Sequence, residues 1–373
     1  MPAQNRKLVL VNLGTPEDPT PDAVRAFLAE FLSDPRVVDY PGWLWRPILE
    51  RIILRVRPPR VAELYRSIWR EGGAPLEVGT RRIAEGLAPL LADRCEVLWA
   101  CRYGTRSLAR LLPDWIDART EEVSILPLFP QRTGSSAGSI VAEAKRLALA
   151  HGLAGRLRLL ELPPDDPGYI EALAERTRRT LEAEPKPTDH LLISFHGIPA
   201  RYNRKEGGVY RADCVATANA LLRALGWERE RATVSYQSRF GPEPWLAPAT
   251  ASVLAKLPRR GVRRVAVVTP GFLTDGLETV EEIGARGRQT FLDHGGKCLT
   301  LVPAVTDHPS LMASMARLVT GGETEPPRSR SSGIARGSRA GVDGGVGSRP
   351  AESVRGGAGG GGSSQPARRR KKH

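Results

Sequence analysis

Residues 8–34 read LVLVNLGTPEDPTPDAVRAFLAEFLSD, and this stretch decides the fold class. Leu8, Val9, Leu10 and Val11 form an apolar run without polar alternation, the pattern of a strand buried on both faces. Gly14, Pro16 and Pro19 end that run and mark a turn. Val24, Phe27, Leu28, Phe31 and Leu32 then recur with helical spacing and make one apolar stripe. Thr20 stands as the capping residue, Pro21 takes the first helical position, and Asp34-Pro35 closes the helix. Strand, turn and helix in that order are the repeating unit of a parallel α/β sheet.

Seven further apolar runs of strand length lie downstream: 97–104, 123–130, 157–163, 191–199, 233–240, 265–273 and 298–303. Helical patterns separate them. The expected fold is α/β, with two Rossmann-like domains, each a four-stranded parallel sheet flanked by helices. The strands divide evenly near residue 165, giving domains 1–165 and 166–320. Residues 321–373 are rich in Gly, Ser, Arg and Pro and poor in large apolar side chains, so they are expected to form a disordered basic tail. The chain of 373 residues carries a net charge of +14. That tail holds eleven Lys/Arg against four Asp/Glu, half of the excess in a seventh of the length.

Several classes are disfavoured. No glycine-rich phosphate loop follows the first strand. No apolar run approaches the ~18 residues of a membrane span. The N-terminal residues read as a strand and not as a signal peptide. Cys95, Cys101, Cys214 and Cys298 lack the spacing of a zinc ribbon or disulfide framework, which fits a reducing, cytoplasmic setting. Basic residues concentrate in the tail and no RRM, KH or helix-turn-helix pattern appears, so no nucleic-acid partner is expected.

Ligands of such folds bind at the C-terminal ends of the strands. There His196 sits between a strand and the rigid Gly197-Ile198-Pro199. Glu278 and Glu282, four apart, share one face of the next helix, and Glu281 points about 60° away from Glu278 at 100° per residue. An imidazole with a pKa near ~6.5 accepts a proton, and carboxylates relay it or hold a divalent ion. Tyr103, Trp245 and Phe272 stand at the same rim, suited to a flat aromatic ligand.

Longer stretches carry a resemblance. LVNLGTPEDPTPDAVRAFLAEFLSDPRVV, RPPRVAELYRSIW, GGAPL, RYG, LPLFPQ, SFHGIPARY with Tyr210 and Cys214 after it, YQSRFGPEPWLAPAT and PGFLTDGLETVEEI occur in the order and spacing of the ferrochelatases. Over residues 7–320 the sequence resembles that family, whose members insert ferrous iron into a porphyrin. The resemblance implies protoporphyrin IX and Fe²⁺ as substrates and protoheme as product. It implies that His196 and Glu278 lie at the porphyrin centre as proton or metal ligands, with Glu282 next on a carboxylate ladder. It places Leu13 at the opposite porphyrin face, Arg102 and Tyr103 beside the histidine, Trp245 and Phe272 in the pocket wall, and Arg57 near the propionates.

The sequence departs from the family pattern at Gly276, where many members have His or Cys, at Arg132, where Tyr is common, at Gly208, where Asp is usual, and in VPAVTDHP. Some members carry a [2Fe–2S] cluster; the scattered cysteines lead us to expect none here, and no permanently bound cofactor. Coproporphyrin or cobalt as substrate, and a non-catalytic tetrapyrrole carrier, remain as alternatives. The expected assembly is a monomer or a weak dimer. Residues 40–60, YPGWLWRPILERIILRVRPPR, combine Trp43, Leu44, Trp45, Ile48, Leu49, Ile52 and Ile53 with flanking arginines. They read as a pocket lip that touches anionic membrane, peripherally on the cytoplasmic face.

Overall fold

The computed structural model describes residues 5–321; the expected tail lies outside the described residues. All eight expected strands form: β1 (Arg6–Asn12), β2 (Glu96–Cys101), β3 (Glu122–Pro127), β4 (Leu157–Leu159), β5 (His190–His196), β6 (Ala232–Gln237), β7 (Arg264–Val268) and β8 (Cys298–Leu301). They make two four-stranded sheets, ordered β2-β1-β3-β4 and β6-β5-β7-β8. Every pairing is parallel; Leu10, for example, is in register with Trp99 of β2 and Leu126 of β3. β5 pairs β6 and β7 in the same manner.

The strands lack alternation because both faces are covered. Leu8 and Leu10 of β1 join Leu191, Ile193 and Phe195 of β5 in one continuous core around Tyr169. Val9 and Val11 point the other way, onto Leu108, Leu112, Ile140 and Ala144 of the covering helices. Leu192, Val265 and Val267 meet Leu254 and Phe291 on the outer face of the second sheet. Fully burying one such side chain contributes about 1.5–3 kcal/mol, so a strand with apolar residues on both faces is held twice over.

The first helix runs Pro21–Ser33, with the Thr20 hydroxyl accepting from the Ala23 N–H at 3.3 Å, as its sequence requires. Three stretches depart from α geometry into the wider π-helix: Leu49–Ile53, Gly134–Gly138 and Leu277–Gly287. The last carries Glu278, Glu281 and Glu282, for which the residue spacing implied an ordinary helix. Its i→i+5 bonding opens the angle between Glu278 and Glu281. Arg286, five residues on, donates to Glu281 at 2.7 and 2.9 Å.

Candidate active site

The C-terminal ends of β1, β3, β5, β6 and β7 converge on one cavity of about 520 Å³. That size falls in the usual range for small-molecule sites, roughly 300–1,000 Å³. Its wall is largely apolar and aromatic. Phe27, Phe31 and Leu32 come from the first helix, Trp45, Ile53 and Tyr65 from the segment after it, and Phe272 and Trp245 from the second half of the chain. Each π-helical stretch contributes to the wall, through Ile53, Ser135 with Ser136, and Leu277 with Glu278. Such stretches cluster at functional sites because they aim side chains that a regular helix would turn aside.

His196 ends β5 and lines the cavity. Its Nδ1 lies 2.7 Å from the Gly197 carbonyl oxygen. A carbonyl has no proton to give, so Nδ1 is the donor and the neutral ring keeps its lone pair on Nε2. Tyr210 donates to the His196 carbonyl at 2.6 Å and fixes the strand end. Gly197 permits this arrangement: a Cβ there would stand 2.5 Å from the Gln237 carbonyl oxygen and 3.2 Å from the Trp245 ring. Phe272 meets the imidazole edge to face, with ring centroids 6.3 Å apart.

Glu278 also lines the cavity. Burial raises its carboxyl above the usual carboxylate range, the neighbouring His196 opposes that, and Glu282 and Glu281 add to it. Gln237 donates to the Glu278 backbone carbonyl at 2.7 Å and holds the turn. Glu282 does not reach the cavity wall. Its carboxylate accepts from the Ser238 N–H at 2.7 Å and the Ser238 hydroxyl at 2.5 Å. Ser238 has φ of 63°, a left-handed conformation that costs a non-glycine residue about 1–2 kcal/mol. Two charge-assisted hydrogen bonds offset that cost.

Leu13, Arg57, Trp245 and Phe272 line the cavity. Arg57 lays its guanidinium over Phe240 at 4.6 Å, and burial, with Arg60 nearby, lowers its pKa. Arg102 and Tyr103, expected in the wall, stand behind it instead. The cause is Asp34, a buried carboxylate at the end of the first helix. Arg102 Nη2, the Tyr103 hydroxyl and the Ser139 hydroxyl all donate to one of its oxygens at 2.8, 2.9 and 2.9 Å. Burial alone would raise Asp34; hydrogen bonds from the Arg36 N–H, Tyr103 and Ser139, and the Arg102 charge, bring it below its ordinary value. Tyr103 in turn packs edge-on to Phe31, 5.2 Å between centroids, and so braces a wall residue.

Sequence reasoning passed over several wall residues, Tyr65, Tyr202, Tyr210 and Gln131 among them. Tyr65 is half-buried, and desolvation, with the charge of Glu278 next, raises its hydroxyl. The Gln131 side-chain oxygen and the Trp245 indole nitrogen are buried with no partner. The four cysteines are free thiols, and among the described residues no group of three or more His, Cys, Asp or Glu is disposed to hold a metal ion.

A double-sheet α/β scaffold with an aromatic-walled cavity, one free imidazole nitrogen and one carboxyl of raised proton affinity defines a protein that takes up a large, flat, apolar ring. The ferrochelatase family model matches residues 6–322, and the chain belongs to that family. Its relatives include the ferrochelatase of Edwardsiella ictaluri, 41% identical over 319 residues that span 86% of this chain and 98% of that protein. The ferrochelatase of Cronobacter sakazakii is 41% identical over 312 residues, 84% of this chain and 97% of the relative. Among solved structures, the sirohydrochlorin chelatase SirB of Bacillus subtilis in complex with cobalt is similar at a TM-score of 0.48 and 12% identity, over 84% of this chain and 94% of that one.

Proposed function

We propose that this chain inserts Fe²⁺ into protoporphyrin IX and releases two protons, giving protoheme. The observation that carries the reading is the presence of His196 and Glu278 side by side in the wall of one aromatic cavity. A flat porphyrin shields its two pyrrole N–H groups and offers no open lone pairs to a hydrated cation. Aromatic walls bend the ring by contacts remote from the nitrogens, at a distortion of about 1–5 kcal/mol. The His196 Nε2 lone pair takes a pyrrole proton. Glu278 in its ionised form takes the second pyrrole proton, and burial, which raises its proton affinity, favours that transfer. Glu282 and Ser238 behind it extend the route outward. Fe²⁺ is a substrate here: while unprotonated, the same imidazole and carboxylate make a transient site for the ion, so metal holding and proton uptake occur in turn. Residues 1–165 and 166–320 serve as two halves, each supplying one side of the cavity, without a resident cluster or cofactor.

Among the described cavity residues, Arg57 is the one permanently positive side chain, and Glu243 is already paired with Arg201. That balance suits a ring with two carboxylates better than one with four. The test is an anaerobic spectroscopic insertion assay with protoporphyrin IX and coproporphyrin III, each with Fe²⁺ and with Co²⁺. Preference for coproporphyrin or cobalt replaces the substrate assignment; tight ring binding without insertion of any metal makes the chain a carrier.

The lip completes the reading. Among the described residues no helix is long and apolar enough to cross a membrane. Trp43 is 80% exposed, and Leu44, Ile48, Ile52 and Val56 are exposed with it, beside Arg46, Arg51, Arg55 and Arg60. Trp45, Leu49 and Ile53 turn inward, and Trp45 donates to the Leu32 carbonyl at 2.7 Å. The outward face docks on the cytoplasmic side of an anionic membrane, each well-placed arginine adding about 1 kcal/mol. The protein works there as a monomer or weak dimer. Trp43→Ser/Ile52→Ser should lose co-sedimentation with anionic vesicles; binding equal to wild type excludes the lip as the contact.

A further inference from the structure

A cluster of charges beside the cavity takes no part in the chemistry above. Tyr40 and Phe240 line the cavity yet are 45% and 55% exposed, so this edge is where it meets solvent. Asp39 sits between the cavity residues Val38 and Tyr40. Arg201 stands on the short helix Ala200–Lys205, which begins four residues after His196. Its guanidinium pairs with Asp39 and donates from Nε to Glu243, a cavity residue on the loop after β6, at 2.8 Å. Lys205 lies 3.6 Å from the second Asp39 oxygen. The Tyr202 hydroxyl accepts from the Asp39 N–H at 3.0 Å and donates to the Val37 carbonyl at 3.3 Å. The Arg201 guanidinium also lies 4.4 Å from the Tyr202 ring centroid and 5.3 Å from that of Tyr40.

The two sides of this cluster are anchored differently. The helix that carries Arg201 follows directly on β5, and Glu206 just beyond it accepts from the Gly134 N–H at 3.0 Å. Residues 34–41 belong to no helix or strand and hold their place through turns and side chains. Asp39 and Glu243 show only 19% and 25% of their side chains to solvent, so their pairs with Arg201 are weakly screened and stronger than ordinary surface ion pairs.

We propose that Asp39, Arg201 and Glu243 form an ionic latch across the cavity mouth, which opens to admit the flat ring and to let the metallated product leave. Arg201 is thus a positioning residue: it touches neither ring nor metal but fixes the segment that closes over them. The closing contacts also lie on the peptide that continues from His196, so latch and proton acceptor share one support. The ring as occupant rests on the functional reading above; the latch itself rests on the contacts.

The test uses the full chain and the variants Arg201→Gln, Arg201→Lys, Asp39→Asn and Asp39→Asn/Arg201→Gln. Hydrogen exchange of residues 36–45 in the free protein reads the latch without any ligand. Stopped-flow fluorescence reads dissociation of free-base protoporphyrin IX. With the latch removed, exchange in that segment should quicken about tenfold while the strands keep their protection. Porphyrin should dissociate about fivefold or more faster and KM should rise without a fall in kcat, since gating steps govern entry and release. Arg201→Lys should lie between Arg201→Gln and wild type, and the double variant should be no faster than the singles. Unchanged exchange overturns the latch, and so does faster exchange with unchanged dissociation. If Arg201→Gln does not fold, Asp39→Asn, which removes charge without removing bulk, decides the same question. Failure of the wild type to bind porphyrin would instead sink the functional reading, and the exchange arm would still decide the latch.

Discussion

His196 and Glu278 are prepared to accept protons by different means. The Gly197 carbonyl fixes the histidine tautomer and frees Nε2. Burial keeps a proton on Glu278 to higher pH than in an unfolded chain. As pH rises above ~4.3 the unfolded chain ionises this group first, so the folded state binds more protons and stability falls until the folded pKa is passed. Glu278→Gln should therefore lower turnover at least about 10²-fold, the usual scale for a positioned acid–base group, while raising Tm at neutral pH. Thermal scans between pH 5 and 8 should show the gap to wild type widening as pH rises and levelling once the folded pKa is passed. A variant less stable than wild type throughout that range contradicts the assignment. Glu281→Gln breaks a pair with the mostly exposed Arg286 and should cost about 1 kcal/mol with turnover changed only slightly. Equal loss of turnover at both positions would show that the helix is oriented otherwise.

At the scale of elements, the eight strands were legible because parallel strands covered on both faces leave a plain mark, unbroken apolar runs such as Leu8–Val11. The first helix was legible to its caps, since Thr20 and Asp34 act locally. The π geometry of Leu277–Gly287 was not. It depends on partners far away in the chain, Ser238 donating to Glu282 and Gln237 donating to the Glu278 carbonyl, and no local period encodes them. The strand ends are crowded in the same way. Gly197→Ala would press a methyl group onto the Gln237 backbone. It should destabilise by about 1–3 kcal/mol, the range for overpacking, and reduce insertion as Trp245 shifts. A Gly197→Ala protein with wild-type Tm and turnover would remove close approach as the reason for glycine here.

For the whole molecule, the site is assembled from strand ends of both sheets, so the motifs that name it are scattered while the cavity is continuous. Trp245 and Phe272 were legible as cavity residues from their place at strand ends, Leu13 and Arg57 through the family resemblance. Arg102 and Tyr103 were placed one layer too far in, because nothing in the sequence shows that Asp34 is buried and needs three donors. Stability to acid is another property of the whole. His190 is buried at the start of β5, its Nε2 2.9 Å from the Thr233 hydroxyl. Burial, with Arg231 and Arg260 nearby, lowers its pKa. The unfolded chain then takes up the proton first, near ~6.5, so the stability tied to neutral His190 is present above that pH and is lost as pH falls through the window below it. The fall in Tm between pH 7 and 5 should be smaller in His190→Gln than in wild type; an identical fall in both would assign acid sensitivity elsewhere.

The most direct test of the proposed chemistry is single-turnover metal insertion, followed anaerobically by absorbance after Fe²⁺ is mixed with protein already loaded with protoporphyrin IX. Loading beforehand separates the chemical step from ring entry. Wild type should convert the bound ring, and His196→Ala should bind it while inserting iron about 10²–10⁴-fold more slowly. Insertion by a folded, porphyrin-loaded His196→Ala protein at the wild-type rate would contradict the role given to the Nε2 lone pair.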